Sequence, residues 1–241
     1  MKPDPKLTLN SITRPDSLSK IVSERLRDAI LANQLKLGEI YTEKELALQF
    51  GVSRTPVREA LRVLLAQEIV TPVAGRGIKI NRFTARDLEE VFELRKTLEV
   101  AVVEKIASNN RQNDLDIPRK YLEEQCRAFI EGDYSEIIHF NRLFHTSLCL
   151  IGGNRRMESV LNQTLDLIQI TAKEFVLVSE RGKMLVSERG KMVMQEHQKI
   201  LDCLLKGDAT QARQAMIQHL DQSLSAMIKV YRSQKRIKEQ G

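Results

Sequence analysis

Beyond Phe83, apolar residues recur at three- and four-residue spacing for the rest of the chain, and almost nothing alternates as a strand would. The pattern predicts six helices, at about 84–108, 115–131, 134–151, 155–178, 192–206 and 208–236. Between them stand turn-forming residues, among them Asn109-Asn110, Gly132-Asp133, Gly152-Gly153-Asn154 and Gly207-Asp208. Pro118 falls in the first turn of the second helix, where a missing amide does no harm. Long helices with short connections can bury their apolar stripes only against one another. Residues 83–236 are therefore expected to form an antiparallel all-α bundle of six or seven helices, with a tail at 237–241.

The first 82 residues read differently. Residues 1–17 are polar with three prolines and suggest a flexible arm. Helical spacing then runs through Leu18, Ile21, Val22, Leu26, Ile30 and Leu31. Thr42-Glu43-Lys44-Glu45 has the form of a capping box and opens a short helix to about Phe50. Gly51 breaks it, Ser53 is placed to cap the next helix (about Arg54 to Gln67), and Pro56 sits in that helix's first turn. Two β-rich runs, Ile69–Val73 and Ile78–Ile80, flank Ala74-Gly75-Arg76-Gly77, which reads as a hairpin tip. Ala47 is small where two helices cross, Gly51 suits a turn, and Val57 can pack the second helix on the first with Leu46, Leu61 and Leu64. This is the spacing of a helix-turn-helix followed by a β-hairpin wing, over 18–82. The second helix of such a unit enters the major groove of double-stranded DNA by its N-terminal end. That end holds Ser53, Arg54, Thr55 and Arg58, which can bond phosphates or, for arginine, a guanine edge. Arg76 at the hairpin tip is placed to reach phosphate or the minor groove. A helical hairpin with a solvated basic face is the bland alternative; the packing triad, the basic helix start and the Gly-Arg-Gly tip together favour DNA.

Charge agrees with this division. Of a net +6, residues 1–82 hold 14 Lys/Arg against 9 Asp/Glu, whereas residues 83–228 hold 19 against 22. A basic head on a mildly acidic body fits a polyanion at one end. No apolar run is long enough to span a membrane, and the first ten residues do not resemble a signal peptide, so the expected location is cytoplasmic. Cys126, Cys149 and Cys203 are scattered and form no C-x-x-C pair, which reads as buried apolar filler in a reducing compartment. One local oddity is that Leu177–Met184 recurs unchanged as Leu185–Met192. With Gly182 and Gly190 inside it, this duplication is expected to lengthen a connection or fray a helix end.

Histidines carry the information in the bundle. His145 shares a helix face with Ile138, Asn141 and Leu148; His197 lies on the stripe of Val193, Ile200 and Leu204; His219 lies with Ala215, Met216, Ser223 and Met227. His139 points elsewhere. Any one of the three reads most simply as a satisfied core histidine. Three on inward faces, with Asn141 a turn from His145, point instead to a divalent metal centre suited to zinc, nickel or manganese, with room for a carboxylate to complete the shell.

The run Val52-Ser53-Arg54-Thr55-Pro56-Val57-Arg58-Glu59-Ala60-Leu61, within Gly38–Ile80, resembles the GntR superfamily of winged-helix regulators. In that family the positions matching Lys44, Ser53, Arg54, Thr55, Arg58 and Gly75 touch DNA, and Arg76 stands beside the matching wing position. The bundle resembles the FCD ligand-binding domain of the FadR branch, in its VanR-like subgroup. That domain shows D-x-x-x-H, then E-H, then a last His, matched here by Asn141…His145, Glu196-His197 and His219, with Asn141 where Asp is usual. Arg95 matches an arginine that faces the effector pocket in relatives; its alternative is a surface ion pair with Glu99. The resemblance implies a non-enzymatic homodimer that binds a palindromic operator and answers to a small organic acid, a metal, or both. A metalloenzyme with a DNA-binding head is a poorer fit, because Glu196 and His197 face different ways on their helix and no nucleophile constellation or phosphate loop is present. A sequence-indifferent nucleoid protein would have no use for inward histidines.

Overall fold

The computed structural model describes residues 18–109, 114–175 and 180–240, so the expected arm over 1–17 lies outside the described residues. The fold is mainly helical with one small antiparallel sheet, and the chain divides into two compact units between Asn81 and Arg82.

In the first unit, α1 (Leu18–Leu31) buries Val22, Leu26 and Ile30 in four-residue steps. Leu18 and Ile21, expected on the same stripe, lie in the first turn and are about half exposed (51% and 44%). α2 (Glu43–Phe50) starts at the expected capping box: Thr42 Oγ1 accepts from the Glu45 amide at 3.1 Å, and the Thr42 amide donates to Glu45 at 2.8 Å. Gly51 ends the helix at φ +63°, a left-handed conformation. α3 (Arg54–Ala66) follows with Ser53 at its N-cap position, but the Ser53 hydroxyl makes no capping bond. Backbone bonds close this turn instead, with the Val52 amide donating to the Ala47 carbonyl at 3.0 Å. Leu46 and Ala47 of α2 meet Val57, Ala60, Leu61 and Leu64 of α3 in one buried set. Burying an aliphatic side chain contributes roughly 1.5–3 kcal/mol, so this set is what presses α3 onto α2.

The hairpin pairs β2 (Val70–Val73) with β3 (Gly77–Ile80), Val73 opposite Gly77. A third strand that sequence patterning missed, β1 (Ile40–Tyr41), adds to the other side of β3, giving the order β1-β3-β2. Two residues are too short to show a period. Gly77 makes the addition possible: its φ is +118°, and a Cβ there would lie 2.3 Å from the Tyr41 carbonyl oxygen.

The second unit holds six helices among the described residues: α4 (Ala85–Ser108), α5 (Asp116–Glu131), α6 (Tyr134–Ile151), α7 (Arg155–Phe175), α8 (Glu180–Leu205) and α9 (Ala209–Gln240). α4 lies along α9, α5 along α6, and α8 along α9. Their shared core includes Phe92, Val103, Ile106, Phe144, Leu148, Leu161, Ile200, Met216 and Leu220. Two expectations fail. α8 begins at Glu180 and runs unbroken through Gly182 and Gly190, so the second copy of the duplication is helical and neither a connection nor a frayed end; the first copy lies partly outside the described residues. α9 continues to Gln240, taking in the expected tail. A helical glycine costs about 1 kcal/mol relative to alanine, and at Gly190 packing offsets it: the residue is buried beside the Phe129 ring. Of the cysteines, all free, only Cys149 is buried; Cys126 and Cys203 are half-buried.

Candidate functional site

In the first unit, Pro56 and Val57 turn inward and leave Ser53, Arg54, Thr55 and Arg58 exposed around the start of α3. Lys44 is exposed on α2, and Gly75 and Arg76 are exposed at the hairpin tip. Sequence reasoning missed Glu43. Its carboxylate accepts from Arg58 Nε at 3.0 Å and Nη2 at 2.8 Å, and from Arg54 Nη2 at 3.4 Å. The bond from Arg58 is the main influence holding the Glu43 carboxyl below its usual range. Two of the four polar side chains at the helix start are thus oriented before any partner arrives.

In the second unit, His145 of α6, His197 of α8 and His219 of α9 come together, each almost fully buried, with ring nitrogens within 4.8 Å of one another. Each Nδ1 faces an oxygen. His219 Nδ1 donates to Glu196 Oε2 at 2.8 Å, His197 Nδ1 to Gln125 Oε1 at 3.0 Å, and His145 Nδ1 lies 2.5 Å from Glu99 Oε2. These partners are acceptors; the Gln125 amide nitrogen is turned away, donating to the Ile137 carbonyl at 3.4 Å. The protons therefore belong on Nδ1, and neutral rings present bare lone pairs at Nε2. Burial makes them neutral: it pulls His145 and His197 below the usual histidine range and His219 down to about 4.

The consequence is an unfavourable arrangement for protein alone. Nε2 of His145 and Nε2 of His219 face each other at 3.3 Å, and His197 Nε2 is buried with no partner among the described residues. Two nitrogens bound to one ion at about 2.0–2.1 Å have a similar separation. The donor set fits a divalent cation held by three imidazoles, each oriented from behind by an oxygen.

Arg95 is buried (2% exposed), so the alternative of a surface pair with Glu99 does not hold. It forms an interior ion pair, Nε donating to Glu99 Oε1 at 2.6 Å, and also lines a cavity beside the cluster. Burial pushes the Glu99 carboxyl up, but the adjacent charge of Arg95 is the main influence that outweighs this and holds it at about 2. Asn141 lines the same cavity, as does His219. His139 is exposed and takes no part.

Residues 18–80 match the family described as bacterial regulatory proteins, gntR family, and residues 90–222 match the FCD domain. The chain belongs to the GntR family of regulators, in its FCD-domain branch. The chain is 35% identical over 145 residues to the HTH-type transcriptional regulator YdhC of Bacillus subtilis, a match over 60% of this chain and 65% of that one. It is 25% identical over 205 residues to the gluconate operon transcriptional repressor of Bacillus licheniformis, covering 84% of this chain and 80% of that one. With McbR of Escherichia coli K12 it shares 32% identity over 132 residues, 55% of this chain and 60% of that one. The alignments to YdhC and McbR thus span less than two thirds of either protein. The solved McbR/YncC structure superimposes with a TM-score of 0.76 at 23% identity, over 90% of this chain and all of that one, which supports the fold.

The structure adds residues that spacing could not identify. Glu99 and Gln125 stand on α4 and α5, far in sequence from the rings they hold. Glu196 diverges from His197, as neighbouring helix positions do, and reaches His219 on α9 instead. Arg189, in the second copy of the duplication, grips Glu196 through both terminal nitrogens at 2.6 Å, one turn pair upstream on α8.

Proposed function

We propose that the protein is a sequence-specific, DNA-binding transcriptional regulator whose operator affinity is set by a metal and a small carboxylic acid bound in the helical unit. The observation that carries this is the exposed, pre-oriented basic start of α3 in a segment matching the gntR family. In this reading Ser53, Thr55 and Lys44 bond phosphates, Arg54 and Arg58 reach phosphate or guanine edges, and Gly75 with Arg76 brings the wing against the backbone. Two copies form a homodimer and place two α3 helices in successive major grooves of a palindromic operator. The relatives named as transcriptional regulators support the same role.

His145, His197 and His219 would hold a zinc, nickel or manganese ion, with Asn141 contributing an oxygen where relatives have a carboxylate. Such an ion supplies a Lewis-acidic anchor with open positions for a carboxylate. Arg95 meets the same acid from α4. A ligand that binds the two arrangements of the dimer unequally shifts operator affinity by that difference, typically about 1–3 kcal/mol or roughly 5–150-fold. The test is a mobility-shift titration with the operator: Arg58→Ala should weaken binding by at least about tenfold, the loss of a good bidentate contact. Unchanged affinity would remove α3 from the reading role.

A further inference from the structure

We propose that the cavity beside the histidine cluster takes a monocarboxylic acid with a hydrocarbon tail, and not a polyhydroxylated or multiply charged acid. The inference deepens the regulatory reading above and rests on it only in taking the cavity to be a ligand site. The cavity holds about 180 Å³, and its walls change character in one direction. Along α9 they pass from His219 to Ser223, then to Met227 and Val230. At 1.5 Å per residue this is a run of about 16 Å from a ring nitrogen, past one hydroxyl, to pure hydrocarbon. α6 repeats the order, with Asn141 near the cluster and Ile138 and Ile137 a turn further out. So does α4, where Arg95 gives way to Phe92. One end can bind a head group; the other offers only apolar surface.

The protein's own charge at the polar end, apart from a metal, is small. Arg95 spends Nε on Glu99, and its Nη2 is buried with no partner among the described residues. A fully buried guanidinium N–H without an acceptor is costly, and a carboxylate oxygen is the natural acceptor. Arg189 also lines the cavity; both its terminal nitrogens are committed to Glu196, and its Nε, like Arg95 Nη2, is buried with no partner among the described residues. Each arginine is already matched by a glutamate, so apart from a metal held at the histidines the walls carry no surplus positive charge, and a second or third carboxylate directed down the cavity would meet only apolar surface. A sugar acid meets the opposite problem: its hydroxyls would face isoleucine, methionine and valine, which can accept or donate nothing.

The experiment is isothermal calorimetry on the full-length protein, with and without added zinc, using acetate, butanoate, hexanoate, octanoate, gluconate and citrate. Affinity should rise about fourfold per methylene until the cavity is filled, as expected for burying hydrocarbon. Gluconate and citrate should bind at least about tenfold more weakly than hexanoate. Ala226→Leu, which narrows the apolar end without touching the head-group residues, should cost octanoate about tenfold or more and leave acetate within about twofold. A flat chain-length series, tighter binding of gluconate or citrate, no binding of any monocarboxylate, or equal loss of all acids in Ala226→Leu would each overturn the proposal. Its failure is separable from that of the regulatory reading. If gluconate binds and alters operator affinity, regulation stands and the tail does not. If the monocarboxylates bind as described while operator affinity never changes, the tail stands and regulation does not.

Discussion

Glu99 is the residue on which most of the interior electrostatics turn. One carboxylate oxygen holds Arg95 at 2.6 Å and the other lies 2.5 Å from His145 Nδ1. Glu99→Gln keeps an acceptor for the ring and removes the charge that balances Arg95. Oriented imidazoles lose roughly 10–100-fold in metal affinity when the group behind them is altered, and that loss is expected here in a competition titration of zinc against a chelating dye. The same substitution leaves a guanidinium buried without its counter-charge, which costs about 3–5 kcal/mol and should be read as a lower urea midpoint. Wild-type zinc affinity in a stable Glu99→Gln protein would show that the charge of Glu99 does not strengthen His145 as a ligand.

Among the elements, α8 departs most from what its sequence suggests. Gly182 and Gly190, one in each copy of the duplicated octapeptide, read as breaks. What sustains the helix is non-local: Phe129 of α5 fills the space a Cβ at Gly190 would occupy, at 2.8 Å, and Arg189 bonds both Glu196 and Ser223 of α9. Gly190→Ala should therefore destabilise the protein by about 1–3 kcal/mol although alanine is the better helix former. Pairing it with Phe129→Leu in a double-mutant cycle should recover much of the loss; strict additivity in urea unfolding would mean the two do not press on each other. The other helices were legible because their stripes are periodic and their ends carry turn residues. The inward histidines were legible for the same reason, since His145, His197 and His219 each sit on an apolar stripe. Glu99, Gln125 and Arg189 were not, because a polar residue's partner across a bundle leaves no trace in local spacing. β1 was hidden by its length, and the vacant hydroxyl of Ser53 by a turn that backbone bonds close without it.

For the whole molecule, the two units carry separate cores, and the candidate cation ligands belong to one of them alone. Zinc at about one hundred times its dissociation constant should stabilise that unit by about 2.7 kcal/mol. In differential scanning calorimetry, chelator should lower one unfolding transition and leave the other in place, and His145→Ala with His197→Ala and His219→Ala should abolish the difference. Equal shifts of both transitions, or wild-type zinc content in the triple variant, would remove the three-histidine centre. The other unit's Glu43 has a consequence for how the protein responds to its ionic surroundings. A duplex approaching α3 meets guanidinium groups that already have an anion of their own. Binding then exchanges one counter-ion for another, and fewer cations leave the DNA than the roughly 0.9 per neutralised phosphate of an unpaired basic tip. Operator affinity should fall with added potassium chloride less steeply than the count of arginines predicts, and Glu43→Gln should bind tighter in dilute buffer while losing that tolerance to salt.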